Sequence, residues 1–241
     1  VKIDGSNLGS ALAGTIPAVR LSANTTSGFS IVEWVGTGST GTVAHGLSAA
    51  PEMIIVKNYE TATQNWAVGA TPAYSGWTGR AGELNDTGAK SSSSAYWNDT
   101  VPSSSVFTVS TEDNVNKSTA SIIAYCFHSI EGYSKVGVYY GNDNEDGPFA
   151  YTGFKPAFLL IKALDVAGQG WLMSDDKRST YNAVSNYLSA NNNNAESVDA
   201  SGNWDFVSNG FKLRDNSYNN NHPNGSGFFY YAVAAAPFKT S

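Results

Sequence analysis

Short runs of large apolar residues recur along the chain and are bounded by Gly, Pro, Asn and Ser. Runs of this kind are typical of strands that are buried on both faces in the body of a sheet. The run at 29–35 differs, because Phe29, Ile31, Glu33 and Val35 alternate with Ser30, Val32 and Trp34. That alternation suits a half-exposed strand. The pattern as a whole predicts an all-β fold.

One segment, 180–188, has apolar residues at helical spacing. Ala183, Val184, Tyr187 and Leu188 would lie on one face of a helix. A segment this short is marginal as a helix on its own, and the asparagines at 191–194 would end it. We therefore expect little helix beyond this candidate.

The apolar runs repeat with an offset of about 105 residues. The run at 51–57 corresponds to 156–162, and a tryptophan follows nine positions after the last lysine of each, at Trp66 and Trp171. Because these tryptophans recur, we expect them to pack in a core or under a loop. The repeat predicts two tandem, duplicated β-sandwich-like units at 28–131 and 132–241, preceded by an extended neck or shaft segment at 1–27. Two side-by-side sandwiches and one merged sandwich both fit this pattern.

Composition and charge narrow the classes of partner. Lys and Arg number 14 against 20 Asp and Glu, for a net charge of -6, and no basic stripe is present. This argues against nucleic acid as a partner. No apolar run approaches the ~20 residues that span a bilayer, which argues against membrane insertion. The one cysteine, Cys126, lies in an apolar run and is expected to pack as a small hydrophobe.

The sequence offers little catalytic chemistry, and we predict neither an enzyme nor a cofactor. A G-x-G-x-x-G match at 36–41 is not followed by a helical pattern, so it does not predict a phosphate site. The three histidines, His45, His128 and His222, fall in no catalytic or zinc-binding motif.

Two weaker hypotheses rest on carboxylates. An acidic loop supplies Asp143, Glu145 and Asp146 as candidate calcium ligands, although EF-hand spacing is absent. A polysaccharide depolymerase would need two facing carboxylates. The candidates for such a pair are Glu83, Asp86, Asp99 and Glu112.

Several phrases of the sequence resemble bacteriophage proteins. The segment 14–21, G-T-I-P-A-V-R-L, resembles tail-fibre shafts just before a C-terminal head. The ordered phrases W-N-D-T at 97–100, E-G-Y-S-K at 131–135 and T-G-F-K-P at 152–156 resemble a duplicated domain of virion structural proteins from phages of marine bacteria and cyanobacteria. Since the chain begins at Val1, we expect it to be the end of a longer polypeptide.

The resemblance implies a virion protein of the tail fibre that acts outside the host cell. It also implies a homotrimer that joins other virion proteins through its N-terminal side. The leading hypothesis is a receptor-binding head that attaches to a host surface polysaccharide or outer-membrane protein. The alternatives are a structural virion component, such as a head fibre, capsid decoration or adaptor, and a fibre-borne depolymerase.

Candidate ligand-binding residues lie in turn-rich segments, where exposed aromatic rings could stack on a sugar and amides could bond its hydroxyl groups. They are Tyr74, Trp77, Tyr96, Trp97, Tyr218, Asn219, Asn220, Asn221 and His222.

Overall fold

The computed structural model describes residues 1–7, 12–73, 76–198, 203–217, 219–222 and 226–237. The fold is all-β, as the sequence predicts. Two one-turn helices are present among these residues, α1 at Ser94–Trp97 and α2 at Asp113–Asn116. In this described part of the chain, no helix is long and apolar enough to cross a membrane.

The strands up to residue 129 are β1 Lys2–Ile3, β2 Ser6–Asn7, β3 Ala18–Asn24, β4 Phe29–Val35, β5 Gly41–Ala44, β6 Met53–Asn58, β7 Ala67–Ala70, β8 Gly79–Arg80, β9 Gly82–Glu83, β10 Ser91–Ser92, β11 Val106–Val109 and β12 Ser121–Phe127. Those that follow are β13 Ser134–Tyr140, β14 Phe149–Tyr151, β15 Pro156–Ala163, β16 Trp171–Asp175, β17 Asn186–Ser189, β18 Ser197–Val198, β19 Trp204–Val207, β20 Gly210–Leu213 and β21 Gly227–Ala234.

The chain forms two compact units, each with its own apolar core. Unit 1 comprises Val1–Leu84 and Lys90–Ser129, and unit 2 comprises Asn85–Ala89 and Ile130–Ser241. The short segment Asn85–Ala89 therefore packs within unit 2, although the chain on either side of it belongs to unit 1.

Unit 1 is built on a sheet of strand order β2-β1-β3-β4-β12-β6-β7-β9, with a smaller sheet formed by β5 and β11. Alternation along β4 and β12 turns Val32, Trp34 and Ile122 inward. These side chains join one core with Val43 and Phe107 of the smaller sheet. Two sheets that share a core in this way form a sandwich-like unit.

Unit 2 has a sheet of order β13-β21-β15-β16-β17-β18 and a three-stranded sheet of order β14-β20-β19. The central order β13-β21-β15-β16 corresponds to β4-β12-β6-β7 of unit 1. The pairing of β14 with β20 likewise corresponds to that of β5 with β11. This common order is consistent with the repeat in the sequence, and an origin by duplication stays a prediction.

Two local expectations need correction. The predicted neck at 1–27 is not a separate segment, because β3 pairs antiparallel with β4 inside unit 1. The predicted helix at 180–188 is wrong, because Val184 bridges to Trp204 and residues 186–189 form β17. The Val184 amide donates to the Trp204 carbonyl at 2.7 Å. Long-range pairing thus replaces a helix that would be marginal alone.

Candidate functional site

The three aromatic candidates that the structure describes are core residues of unit 1. Trp77 is 1% exposed, Tyr96 7% and Trp97 0%. The two indole rings meet edge to face with centroids 5.3 Å apart, over Gly69, where a Cβ would collide with both rings. The expected exposure of these side chains is wrong, because α1 lies against the core and turns its aromatics inward.

Two of the polar candidates near the end of the chain are also inward-facing. Asn220 and Asn221 are fully buried. Asn219 is partly exposed, and the partly exposed His222 has its Nδ1 3.2 Å from the Ser226 hydroxyl. Tyr74 and Tyr218 lie outside the described residues. Two of the four described candidates in this loop, Asn220 and Asn221, therefore belong to a buried network.

Asn221 has a clear structural role in this network. Its Oδ1 accepts from the Asn142 amide at 2.8 Å, and its Nδ2 donates to the carbonyls of Asn144 and Asp215 at 2.8 and 2.7 Å. Buried amides are expected to satisfy their hydrogen bonds in this way. The side chain ties the acidic loop to the strand end after β20.

The candidate calcium ligands are not gathered around a common point. Asp146 binds the Lys212 ammonium at 2.7 Å, and this contact holds the pKa of the Asp146 carboxyl below its usual value. Over the described parts of the chain, no group of three or more His, Cys, Asp or Glu side chains is placed to hold a metal ion. The acidic loop is instead fixed by Lys212 and by Asn221.

Of the four depolymerase candidates, the structure brings Glu83 and Glu112 into electrostatic contact. Burial raises the pKa of the Glu112 carboxyl, and the charges of Asp113 and Glu83 raise it further. Glu83 is 6% exposed and its carboxylate binds Asn65 Nδ2 at 2.8 Å and Arg80 Nε at 3.4 Å. Its oxygens are thus engaged in the protein interior, which favours a structural role.

Asp86 and Asp99 do not join this pair. Asp86 lies in the segment that packs within unit 2, and both carboxylates are exposed. The structure therefore assembles only half of the proposed carboxylate set.

A different surface combines exposed aromatic rings with charged groups. It is the outer face of the three-stranded sheet of unit 2, called the aromatic face below. It consists of Phe149, Tyr151, Asp205, Gly210, Lys212 and Arg214.

Strand alternation creates this face. Phe149 and Tyr151 are 46% and 65% exposed, whereas Ala150 between them is 5% exposed. Successive side chains of a strand point to opposite sides, so the two rings share the outer side. Phe149 pairs with Lys212, and Tyr151 pairs with Gly210.

Gly210 leaves room for the ring beside it. A Cβ at this position would lie 2.8 Å from Cε2 of Phe149 and would also collide with the Ala150 carbonyl. The Phe149 ring therefore lies against bare backbone. The result is a flat apolar surface next to the exposed ring of Tyr151.

Two ion pairs border the rings. Lys212 binds Asp146 and the Gly147 carbonyl, both at 2.7 Å, and Arg214 binds Asp205 through Nη2 at 2.5 Å and Nε at 2.6 Å. Exposed pairs contribute little stability. They do hold the two cations in place, and each cation has more N–H groups than these bonds use.

The arrangement suits a polyhydroxylated ligand. Aromatic rings can cover its apolar C–H faces, while carboxylates accept and cations donate hydrogen bonds to its hydroxyls. Sequence reasoning missed Phe149 and Tyr151, although their alternation with Ala150 was an available signal. The opposing strand, which supplies Gly210 and Lys212, could not be assigned before the fold was known.

No curated protein and no solved structure matches the chain. One family model matches residues 4–237 and thus spans both units. The chain belongs to that family, DUF7483, which is described as a domain of unknown function.

Proposed function

We propose that this chain is the non-catalytic attachment head of a bacteriophage tail fibre and that it binds a host surface glycan through the aromatic face. The supporting observation is the exposure of Phe149 and Tyr151 side by side on one sheet face. The phage resemblance of phrases such as 131–135 and 152–156 supplies the biological setting.

The chemistry of the face favours a sugar over an apolar ligand. Tyr151 presents both a ring and a hydroxyl. Lys212 lies on the neighbouring strand β20, and Arg214 follows the end of that strand. Such mixed surfaces occur where recognition needs rigid aromatic contacts beside polar ones. With two exposed rings, this face is expected to bind weakly at each site.

Weak sites gain from repetition. Several copies on one fibre raise the effective concentration for a second contact, so a weak glycan site can hold a virion firmly. A homotrimer that joins other virion proteins through the N-terminal side is therefore part of the proposal. The proposed location is the tail fibre of the virion, outside the host cell.

The test is binding of the labelled chain to intact marine bacterial and cyanobacterial cells, and to an array of their surface polysaccharides. We expect binding that periodate treatment of the cells abolishes. The double variant Phe149→Ala, Tyr151→Ala should lose at least about tenfold in affinity, the equivalent of 1.4 kcal/mol. Tyr59→Ala, which removes a 50% exposed ring from unit 1, is the matched control.

The outcomes separate the hypotheses. Binding that survives periodate but is lost in the double variant would point to a protein receptor. Absence of binding to every cell and glycan would overturn the attachment proposal.

A structural virion component is the second candidate. The observation in its favour is the partly exposed apolar surface of Ile31, Ile55 and Ile123 on the main sheet of unit 1. Apolar surface on the flank of a protein is typical of assembly contacts. Co-sedimentation with virion proteins, together with failure to bind cells, would favour this candidate.

A further inference from the structure

The outer side of the main sheet is closed in unit 2. Lys162, Trp171 and Phe229 are fully buried there, and Leu160 is 6% exposed. Trp171 and Phe229 meet edge to face with ring centroids 6.1 Å apart. A lysine with no exposed surface requires protein acceptors for its ammonium.

The segment Asn85–Ala89 supplies one of those acceptors. The Thr87 carbonyl accepts from the Gly168 amide at 2.9 Å and from Lys162 Nζ at 3.3 Å. Lys162 Nζ also donates to the Gln169 carbonyl at 2.6 Å. This segment belongs to the loop that joins β9 to β10, and it lies on the sheet of unit 2.

In unit 1 the same side of the main sheet is more exposed. The counterparts of the four buried residues are Ile55, Lys57, Trp66 and Ile123, called the open face below, and all four are partly exposed. The strand registers establish the match, since Lys57 pairs with Ile123 as Lys162 pairs with Phe229.

The lysine contact is also the same in both units. Lys57 Nζ donates to the carbonyl of Gln64, seven residues later, as Lys162 does to that of Gln169. Among the residues that the structure describes, Lys57 Nζ has the Gln64 carbonyl as its acceptor, and no second carbonyl takes the part of that of Thr87. The counterpart of Gly168 is Thr63, which is exposed.

The loop that joins β9 to β10 and carries Asn85–Ala89 is called the covering loop below. It has a counterpart in unit 2. This counterpart joins β17 to β18, and its first amide, Ala190, donates to the Trp171 carbonyl at 2.9 Å. In the covering loop the Leu84 amide donates to the Trp66 carbonyl, also at 2.9 Å. Both β9 to β10 and β17 to β18 are separated by seven residues, 84–90 and 190–196.

This alignment places Asn193 at the position of Thr87. Thr87, Gly88 and Ala89 are partly buried, whereas 192–195 are exposed. The chain therefore carries one covered sheet and one matching uncovered sheet. The loop at 85–89 lies on the sheet of unit 2, whereas in the described structure the matching loop at 191–195 is exposed at 192–195.

We propose that the loop 191–195 of one copy docks on the open face of a second copy. In this contact the Asn193 carbonyl takes the place of the Thr87 carbonyl and accepts from Lys57 Nζ and the Thr63 amide. The contact joins two different surfaces, so repeated docking closes into a ring or extends as a filament. The occupant is thus another copy of this chain.

Cysteine crosslinking tests this contact directly. Chains carrying Thr63→Cys and chains carrying Asn193→Cys, with different tags, are mixed and oxidised mildly. A mixed disulfide is expected, because a hydrogen bond such as that of Gly168 to Thr87 brings the two backbones within bridging reach. The native Cys126 does not interfere, because it is fully buried.

The matched control replaces Asn193→Cys by Tyr181→Cys, a residue of unit 2 that is 84% exposed. This pairing should give no more than collisional crosslinking. Equal yields for the two pairs would overturn the proposal. A chain that carries both Thr63→Cys and Asn193→Cys and forms this disulfide only within itself would also overturn it.

Self-association supplies an independent measurement. The chain is expected to show concentration-dependent mass in sedimentation equilibrium. Trp66→Ala should weaken association by about tenfold, since buried tryptophans are frequent hot spots. Thermal unfolding of each variant checks that unit 1 stays folded. A chain that remains monomeric at millimolar concentration would overturn the proposal.

Discussion

Asn116 and Asn221 make the same four hydrogen bonds in their respective units, 105 residues apart. Each Oδ1 accepts one loop amide, and each Nδ2 donates to two carbonyls and to one side chain of that loop or its neighbour. The partners are Thr37, Ser39 and Ser110 for Asn116, and Asn142, Asn144 and Asp215 for Asn221. Both asparagines are fully buried. Asn221, which the sequence suggests as a ligand contact, therefore holds loop segments of unit 2 together in the fold, and Asn116 does the same in unit 1. Each of these two side chains is called a clamp below.

Removal of either clamp should destabilise its unit. Asn116→Ala and Asn221→Ala each leave buried loop groups without a partner, at a cost of about 1–3 kcal/mol. Chemical denaturation measures the change. The control is Asn219→Ala, at a partly exposed position, which should change stability by less than about 0.5 kcal/mol. Equal effects of all three variants would contradict the clamp role.

Lys162 should make stability depend on alkaline pH. Burial lowers the pKa of its ammonium to about 8. The unfolded chain keeps the ordinary lysine pKa of about 10.4, so between these values the unfolded state binds more protons. Stability of the wild type relative to Lys162→Met should therefore rise as pH increases from about 8 to about 10.4.

Unfolding free energies of the two proteins, measured at several pH values, test this slope. Lys57→Met, at the partly exposed counterpart, is the control for the loss of a lysine side chain. A constant difference between wild type and Lys162→Met across the window would contradict the prediction.

His45 should make unit 1 sensitive to acid. The ring is fully buried, with Nε2 3.1 Å from the Ser103 carbonyl and Nδ1 accepting from the Leu47 amide at 3.1 Å. Burial lowers the pKa of the imidazole. Below a pH of about 6.5 the unfolded chain takes up a proton that the folded chain does not, so stability falls with pH.

His45→Gln should remove this part of the acid dependence, which urea unfolding at pH 7 and pH 5 can resolve. His128→Gln, at a partly exposed ring, should retain it. An unchanged slope in His45→Gln would contradict the assignment.

Cys126 should be inert in the native protein. It has no exposed surface, and burial raises the pKa of its thiol to about 12. Since the thiolate is the reactive form, a disulfide reagent such as DTNB should label the chain only after denaturation. Labelling of the folded chain within minutes would show that unit 1 opens readily.

The sequence predicts the strands and the burial of Cys126, because both follow from local runs of apolar residues. The apolar runs predicted the strands, because a strand in the body of a sheet needs apolar side chains on both faces. The common strand order of the two units is consistent with the 105-residue offset, and an origin by duplication stays a prediction. Cys126 in an apolar run was correctly expected to be buried.

Exposure of particular side chains depended on the tertiary structure. Trp77 and Trp97 stand in turn-rich sequence, yet they pack over Gly69 because distant parts of the chain meet there. The segment 180–188 has a helical pattern, yet pairing with Trp204 decides its conformation. Contacts between residues far apart in sequence are set by the whole fold, and local patterns do not contain them.

The sequence by itself determined the all-β class and the positions of the repeated strands, because side-chain periodicity is a local property of the backbone. Tertiary structure alone decided that Gly210 lies beside the ring of Phe149 and that Asn221 faces inward. It alone decided that Thr87 lies on the sheet of unit 2 while its counterpart Asn193 stays exposed. These outcomes depend on which surfaces meet when the chain packs, and burial is the property that packing creates.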